Sequence, residues 1–125
     1  MARWKRPDIV PQGDENCVAH MLSVMRLALG YKTGVAEGYD TPDRSLDEWE
    51  TMRLAWDSFP GRHVVFAHSN DHAGLCRLLG EDYLFAFSYM QDGDDSGHCV
   101  IGLPSRTDDM IIKWVLAVSV ERRWK

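Results

Sequence analysis

The chain has 125 residues, of which 45% are apolar, so it is long enough to bury the core of one domain without disulfide bonds or a metal ion. Its formal charge of -5 excludes general nucleic-acid binding, which normally requires a basic face against the phosphates. Its three cysteines are an odd number at irregular spacing, which excludes a disulfide framework and a paired-cysteine metal site.

Three further features bear on location and partners. The basic start of the chain runs into Pro7 and Pro11 without an apolar stretch, so no signal peptide is predicted. No segment has the roughly 20 apolar residues that span a membrane. Unpaired cysteines fit a reducing compartment. We therefore expect a cytoplasmic protein with a single domain, residues 1–125. Its expected partner is a peptide or protein, with no nucleic-acid or membrane partner, and its oligomeric state is left open.

The first predicted elements are an extended arm and a helix. Residues 1–13 contain Pro and Gly and lack periodicity, which predicts the arm. A helix is predicted over residues 17–29, where apolar side chains recur at spacings of three and four: Val18, Met21, Leu22, Met25 and Leu29. Asp14 or Asn16 can cap its start, and Gly30 is expected to end it.

A second helix is predicted after a loop over residues 31–44. Ser45 and Glu48 have the spacing of a capping box. An apolar stripe follows, and we expect it to be the buried face of this helix: Trp49, Met52, Trp56 and Phe59.

The remaining chain predicts strands and one short helix. Residues 63–67 are short, apolar and β-branched, which favours a strand, and a third helix is expected over residues 71–79, ended by Gly80. Residues 83–90 and 98–103 flank a Gly- and Asp-rich turn, which predicts an antiparallel hairpin. The last strand is expected over residues 110–120.

Cys17 and His98 are the candidate reactive residues. Cys17 begins the first predicted helix, where the positive end of the helix dipole favours the thiolate over the thiol. His98 begins a strand 81 residues later, and a fold can bring such partners together. Acyl transfer needs a nucleophile, a base and donors to the oxyanion. Cys17, His98 and the Gln12 amide together with the Cys17 backbone N–H can supply these groups.

Three short motifs occur in order along the chain: Gln12 a few residues before Cys17, Gly30-Tyr31-Lys32 after the first helix, and Gly97-His98-Cys99-Val100-Ile101-Gly102. In these features the chain resembles the papain-like cysteine peptidases, in particular the bacteriocin-leader-processing peptidase domains. The resemblance implies an α+β fold in which an N-terminal central helix packs against an antiparallel β-sheet. It also implies a cysteine-dependent peptidase or amidase with no cofactor and no metal ion.

The chain departs from this family at two positions. Val18 stands where the family has Gly after the nucleophile. The family's Asp, which orients the histidine, has no clear counterpart, and the candidates are Asp108, Asp109 and Ser119. We favour Asp109, although an in-register hairpin would place it far from His98 and Ser119 nearer.

Other readings stay open. His68, His72 and Cys76 are spaced by four residues and could share a helix face as metal ligands, although His68 precedes the expected cap. His20 lies one turn after Cys17. The acidic stretch over residues 37–50 could recruit a basic partner. The alternative function is a catalytically inactive papain-like protein that binds and blocks a protein partner.

Overall fold

A computed structural model describes residues 17–35, 46–68, 72–91, 97–103 and 110–122. The fold is α+β, and these residues contain three α-helices and a four-stranded antiparallel sheet. The chain divides into two compact units, Met1–Ser58 and Phe59–Lys125. The first unit holds two helices, and the second holds the sheet and the third helix.

Helix α1, Cys17–Ala28, confirms the first predicted helix and its C-cap. Gly30 has a φ of 92°, in the left-handed region that glycine adopts without strain. The Gly30 N–H donates to the Leu27 carbonyl at 3.1 Å, and the Tyr31 N–H donates to the Arg26 carbonyl at 3.0 Å. This pair of bonds is the Schellman motif, which satisfies the last carbonyls of a helix.

Helix α2, Glu48–Ser58, begins later than the predicted capping box. The Glu50 N–H donates to Asp47 Oδ1 at 2.7 Å, and the Asp47 N–H donates to Glu50 Oε1 at 3.3 Å. The reciprocal cap is therefore formed by Asp47 and Glu50, not by Ser45 and Glu48. Ser45 lies outside the described residues.

The predicted buried face of α2 is wrong for its two tryptophans. Trp49 is 65% exposed and Trp56 is 63% exposed. Small side chains at spacings of four and three are buried in this helix instead: Thr51, Ala55 and Ser58. Phe59, which follows the helix, is buried as expected.

Arg26 connects three parts of the first unit. Its side chain is buried, and its Nε donates to the Thr33 carbonyl at 3.0 Å while Nη1 donates to the Ser58 carbonyl at the end of α2. The guanidinium carbon lies 4.5 Å from the centre of the Tyr31 ring. Burial lowers the pKa of Arg26, but a guanidinium group is so basic that the residue stays charged at neutral pH.

The second unit contains four strands: β1 (Val64–Ala67), β2 (Tyr83–Gln91), β3 (His98–Ile101) and β4 (Met110–Ser119). Their order across the sheet is β1-β4-β2-β3, and every pair is antiparallel. These bounds agree closely with the predicted strands, and the β2–β3 hairpin is confirmed. Helix α3, His72–Leu79, lies between β1 and β2 in the chain and is followed by a 3-10 turn, Gly80–Asp82.

Helix α3 covers one face of the sheet. The buried core of this face consists of Phe85, Phe87, Val115 and Ala117, and α3 packs against it through Leu75, Cys76 and Leu79. Residues on the opposite face are also buried: Val64, Ala86, Ser88, Trp114, Leu116 and Val118. The sheet is thus apolar on both faces, which accounts for the nearly continuous apolar sequence of β4.

Candidate active site

Cys17 is the first residue of α1 and is half-buried. Seven of the twelve residues of α1 are buried, and the other five, Cys17 among them, are half-buried or exposed. At the N-terminus of such a helix, the backbone N–H groups of the first turn and the helix dipole favour a negative charge. The position therefore suits a thiolate, as the sequence predicts.

His98 is the first residue of β3, an edge strand within the described sheet. Its side chain is exposed and lies opposite Tyr89 of β2. The His98 and Tyr89 rings are 5.3 Å apart between centroids and are tilted by 34°. Because residues that pair directly share a face of the sheet, His98 lies on the same face as Phe87 and Tyr89, which is the face covered by α3.

Gly97 leaves room for the side chains around the start of β3. A Cβ atom at this position would lie 3.1 Å from Ser88 Oγ and 3.4 Å from Lys113 Cδ. Lys113 itself has no partner on β2, since Trp114 pairs with Ser88 and Ile112 pairs with Tyr89. This is a β-bulge, a feature that is over-represented at sheet edges and next to active sites. Neither the bulge nor the contact of Tyr89 with His98 was predicted from the sequence.

The strand register corrects the expectation about Ser119. Ser119 pairs with Tyr83, whereas His98 pairs with Tyr89. Tyr83 and Tyr89 are six residues apart on β2, so Ser119 and His98 are about 20 Å apart along the strand direction. Its hydroxyl accepts a hydrogen bond from the His63 N–H and donates to the Glu121 carbonyl, both at 2.9 Å. Ser119 is therefore a structural residue at the far end of the sheet and does not orient His98.

The same register places the beginning of β4 at the His98 end of the sheet. Ile112 pairs with the same Tyr89, and Met110 pairs with Gln91 two residues further along. The expectation from the sequence had the two ends of β4 reversed, because it assumed that β4 pairs directly with β3. In the structure β2 lies between them.

Several predicted site residues fall outside the described part of the chain: Gln12, Asp108 and Asp109. Cys17 belongs to the first compact unit and His98 to the second. Each of the two residues thus has the predicted local setting, at a helix start and at a strand start. Their pairing stays a prediction.

The other two cysteines have different surroundings. Cys76 packs against the core of the α3 face, and burial raises the pKa of its thiol. Cys99 pairs with Ser88 and therefore points to the face opposite His98. Both are half-buried. Neither thiol lies at the start of a helix, so Cys17 differs from both in its electrostatic setting.

The predicted metal-ligand spacing on α3 does not form a cluster. His68, His72 and Cys76 are all described, and no group of three or more His, Cys, Asp or Glu side chains within the described ranges is arranged to hold a metal ion. His72 is buried. No helix in those same ranges has the length and apolar character needed to cross a membrane.

Comparison with known proteins identifies no relative. The chain matches no family model, and no curated protein or solved structure is detectably similar to it.

Proposed function

We propose that the protein is a cysteine-dependent hydrolase, a peptidase or amidase, that cleaves a peptide or protein amide bond with Cys17 as nucleophile and His98 as base. The observation that carries the proposal is the setting of the half-buried Cys17 at the first residue of a largely buried helix. Structural cysteines are normally buried within elements, whereas reactive ones lie partly exposed at electropositive helix ends. His98 is exposed at the start of an edge strand and lies beside a β-bulge, and this setting supports its proposed role as the base.

The proposed fold is papain-like, with α1 as the central helix packed against the antiparallel sheet. Two features support it: α1 is buried around most of its surface, and the sheet is apolar on both faces. The proposal requires the start of α1 to lie beside β3, at the sheet edge from which the His98 ring is accessible. If the start of α1 lay beyond β1, at the opposite edge of the sheet, Cys17 could not reach His98 and the proposed reaction would be excluded.

In the proposed reaction, Cys17 Sγ attacks the amide carbon as a thiolate, and His98 carries the proton. The developing oxyanion accepts hydrogen bonds from the Cys17 backbone N–H and the Gln12 side chain. The C–N bond then breaks, His98 gives its proton to the leaving amine, and a thioester remains. Water attacks the thioester with His98 as base, which releases the acid and restores the thiol.

Asp109 is retained as the proposed positioning residue for His98. It directly precedes Met110, whose pairing with Gln91 places the start of β4 at the His98 end of the sheet. A carboxylate that accepts a hydrogen bond from one imidazole nitrogen fixes the tautomer and leaves the other nitrogen to act as base. The expected distance between Asp109 and His98 assumed that β4 pairs directly with β3, whereas β2 lies between them.

The second candidate is a catalytically inactive papain-like protein that binds and blocks a partner. The observation that favours it is the exposure of two tryptophans on α2, since large exposed aromatic side chains mark binding surfaces. The two candidates differ in what they require of Cys17. Only the hydrolase needs a thiol activated by His98.

The test is the rate at which iodoacetamide alkylates each cysteine between pH 5 and 10, read by mass spectrometry of the tryptic peptides. We expect Cys17 to react fastest at neutral pH, with an apparent pKa below the ordinary thiol value of about 8.5. The half-buried Cys76, whose thiol has a pKa raised by its partial burial, provides an internal slow reference.

Two histidine variants complete the test. His98→Ala should return Cys17 to the rate of an ordinary thiol, whereas His63→Ala, which removes an exposed histidine that contacts Tyr83 at the other end of the sheet, should not. If His20→Ala slows Cys17 and His98→Ala does not, the base has been assigned to the wrong histidine. Ordinary reactivity of Cys17 in the unmodified protein would refute the hydrolase and leave the binding protein.

A further inference from the structure

Helix α2 presents an exposed aromatic face that the proposed hydrolase does not use. Trp49 and Trp56 are separated by seven residues, two helical turns, so they lie on the same side of the helix. Exposed Arg53 and half-buried Met52 lie between them at helical spacing. These four residues are called the Trp49–Trp56 face below.

The exposed area of this face is large for a domain of this size. Tryptophan is normally among the most deeply buried side chains on average, yet these two are 65% and 63% exposed. With a full side-chain area of about 250 Å² each, they expose about 300 Å² together. Exposed aromatic area of this size on a small protein is often functional, and here exposed Arg53 lies between the two rings.

Acidic residues neighbour the two tryptophans in the sequence of α2, which places them to either side of the Trp49–Trp56 face, whereas Arg53 is the one charged residue on the face itself. Glu48 and Glu50 flank Trp49 in the sequence, and Asp57 follows Trp56. With Asp47 and Arg53, residues 46–58 carry four negative charges and one positive charge, a net charge of -3. This charge disfavours an anionic partner such as a nucleic acid or an acidic lipid surface, and it favours a cationic one.

We propose that the Trp49–Trp56 face binds a basic amphipathic segment of a partner protein. Lysine and arginine fit both features of the face, because their ammonium or guanidinium groups are attracted to an indole ring and their aliphatic stems cover apolar surface. The two indoles are separated by about 10 Å along the helix axis. Basic side chains seven residues apart on a partner helix match that distance.

A second copy of the chain is a poorer occupant. Two copies of this face would bring Asp47, Glu48 and Glu50 of one chain towards the same residues or Asp57 of the other. Like charges brought together in an interface cost binding free energy. The proposal does not depend on the reactivity of Cys17, so it can hold whether or not the protein is an enzyme.

The test uses the indole N–H signals of the five tryptophans in a two-dimensional NMR spectrum, with Trp49→Phe and Trp56→Phe to assign two of them. The probe is a synthetic helical peptide of Leu and Lys with a Lys pair seven residues apart, and the control probe has Glu in place of Lys. We expect the Leu–Lys peptide to shift the Trp49 and Trp56 signals and to bind more weakly as the salt concentration rises.

Matched variants separate this face from general charge attraction. The double variant Trp49→Ala with Trp56→Ala should weaken binding at least tenfold, whereas Leu78→Ala, at an 82% exposed position on α3, should change it less than twofold. Glu48→Gln should weaken binding several-fold and Glu81→Gln, at an exposed position on the 3-10 turn, should not.

Three outcomes would overturn the proposal. The first is that the two indole signals do not move, and the second is that the Leu–Glu peptide binds equally well. The third is that both signals shift with protein concentration alone, which would assign the face to a second copy of the chain. Trp49→Phe with Trp56→Phe keeps aromatic rings at both sites and should retain most of the binding, so that a folding defect of the alanine variant does not decide the result.

Discussion

Replacing Arg26 with Met should lower the free energy of unfolding by about 2–3 kcal/mol. The guanidinium of Arg26 donates hydrogen bonds to the Ser58 carbonyl at the end of α2 and to the Thr33 carbonyl and hydroxyl. Met has a similar length and is apolar, so it fills the space but donates no hydrogen bond. The substitution therefore tests the hydrogen bonds rather than the volume.

The magnitude follows from the burial of each bond. The bond to the Ser58 carbonyl is buried, and a charge-assisted bond of this kind contributes about 1.5–3 kcal/mol. The bonds to Thr33 are only partly buried, and Thr33 is exposed, so water replaces them at a cost of about 0.5–1 kcal/mol. The contact with the Tyr31 ring adds about 1 kcal/mol. Met also removes the cost of burying the charge, the effect that lowers the pKa of Arg26, and this gain offsets part of the loss.

The assay is urea denaturation followed by circular dichroism, with the midpoint and slope compared among variants. The matched control is Arg53→Met, which removes an exposed arginine from α2 and should change the free energy of unfolding by less than about 0.5 kcal/mol. Arg26→Lys should lower the free energy of unfolding by an amount between those of Arg26→Met and Arg53→Met, because a single ammonium group cannot reach both carbonyls as the planar guanidinium does. If Arg26→Met is no more destabilising than Arg53→Met, Arg26 does not connect α1 to α2 as described.

Two further predictions concern single residues. Cys76 should be alkylated more slowly than the same thiol in urea-unfolded protein, with an apparent pKa above its ordinary value, because burial raises that pKa. The neutral Cys76 thiol should therefore stabilise the fold below the unfolded-state pKa of about 8.5, and this stabilisation should decrease as the pH rises above that value. Cys76→Ser should remove this pH dependence of the free energy of unfolding. Equal alkylation rates in the folded and unfolded protein would contradict both predictions. Gly30→Ala should destabilise the protein by about 1 kcal/mol in the same urea assay, because Ala is strained at a φ of 92°, and an unchanged midpoint would mean that the helix ends differently.

The elements set by local interactions were predictable from the sequence. The apolar spacing over residues 17–29 and the glycine at position 30 specify a helix and its end without reference to the rest of the chain. The strands were located within one or two residues for the same reason, since turn residues and β-branched runs mark them.

The buried face of α2 was not predictable from periodicity alone. Two sets of residues in this helix recur at helical spacing, one with Trp49, Met52 and Trp56 and one with Thr51, Ala55 and Ser58. Transfer of apolar surface from water favours burial of the first set, yet the second is buried. The small side chains of the second set allow a close approach of neighbouring backbone, which the sequence pattern does not reveal.

The position of the site residues along the sheet depended on long-range order. A hairpin between β3 and β4 was the simplest connection, but β4 pairs with β1 and β2 instead. This order places Ser119 at the end of the sheet away from His98 and brings the start of β4 to the His98 end. Strand order is set by packing between distant segments, so no local pattern specified it.

The central claim is that Cys17 and His98 meet, and the distance between Cys17 Sγ and the nearer ring nitrogen of His98 in a crystal structure tests it most directly. We predict a distance within about 4 Å, slightly longer than a formed hydrogen bond, as is common in catalytic sites without substrate. A structure in which α1 begins on the other side of the sheet, with the thiol and the imidazole separated by the strands, would contradict the claim.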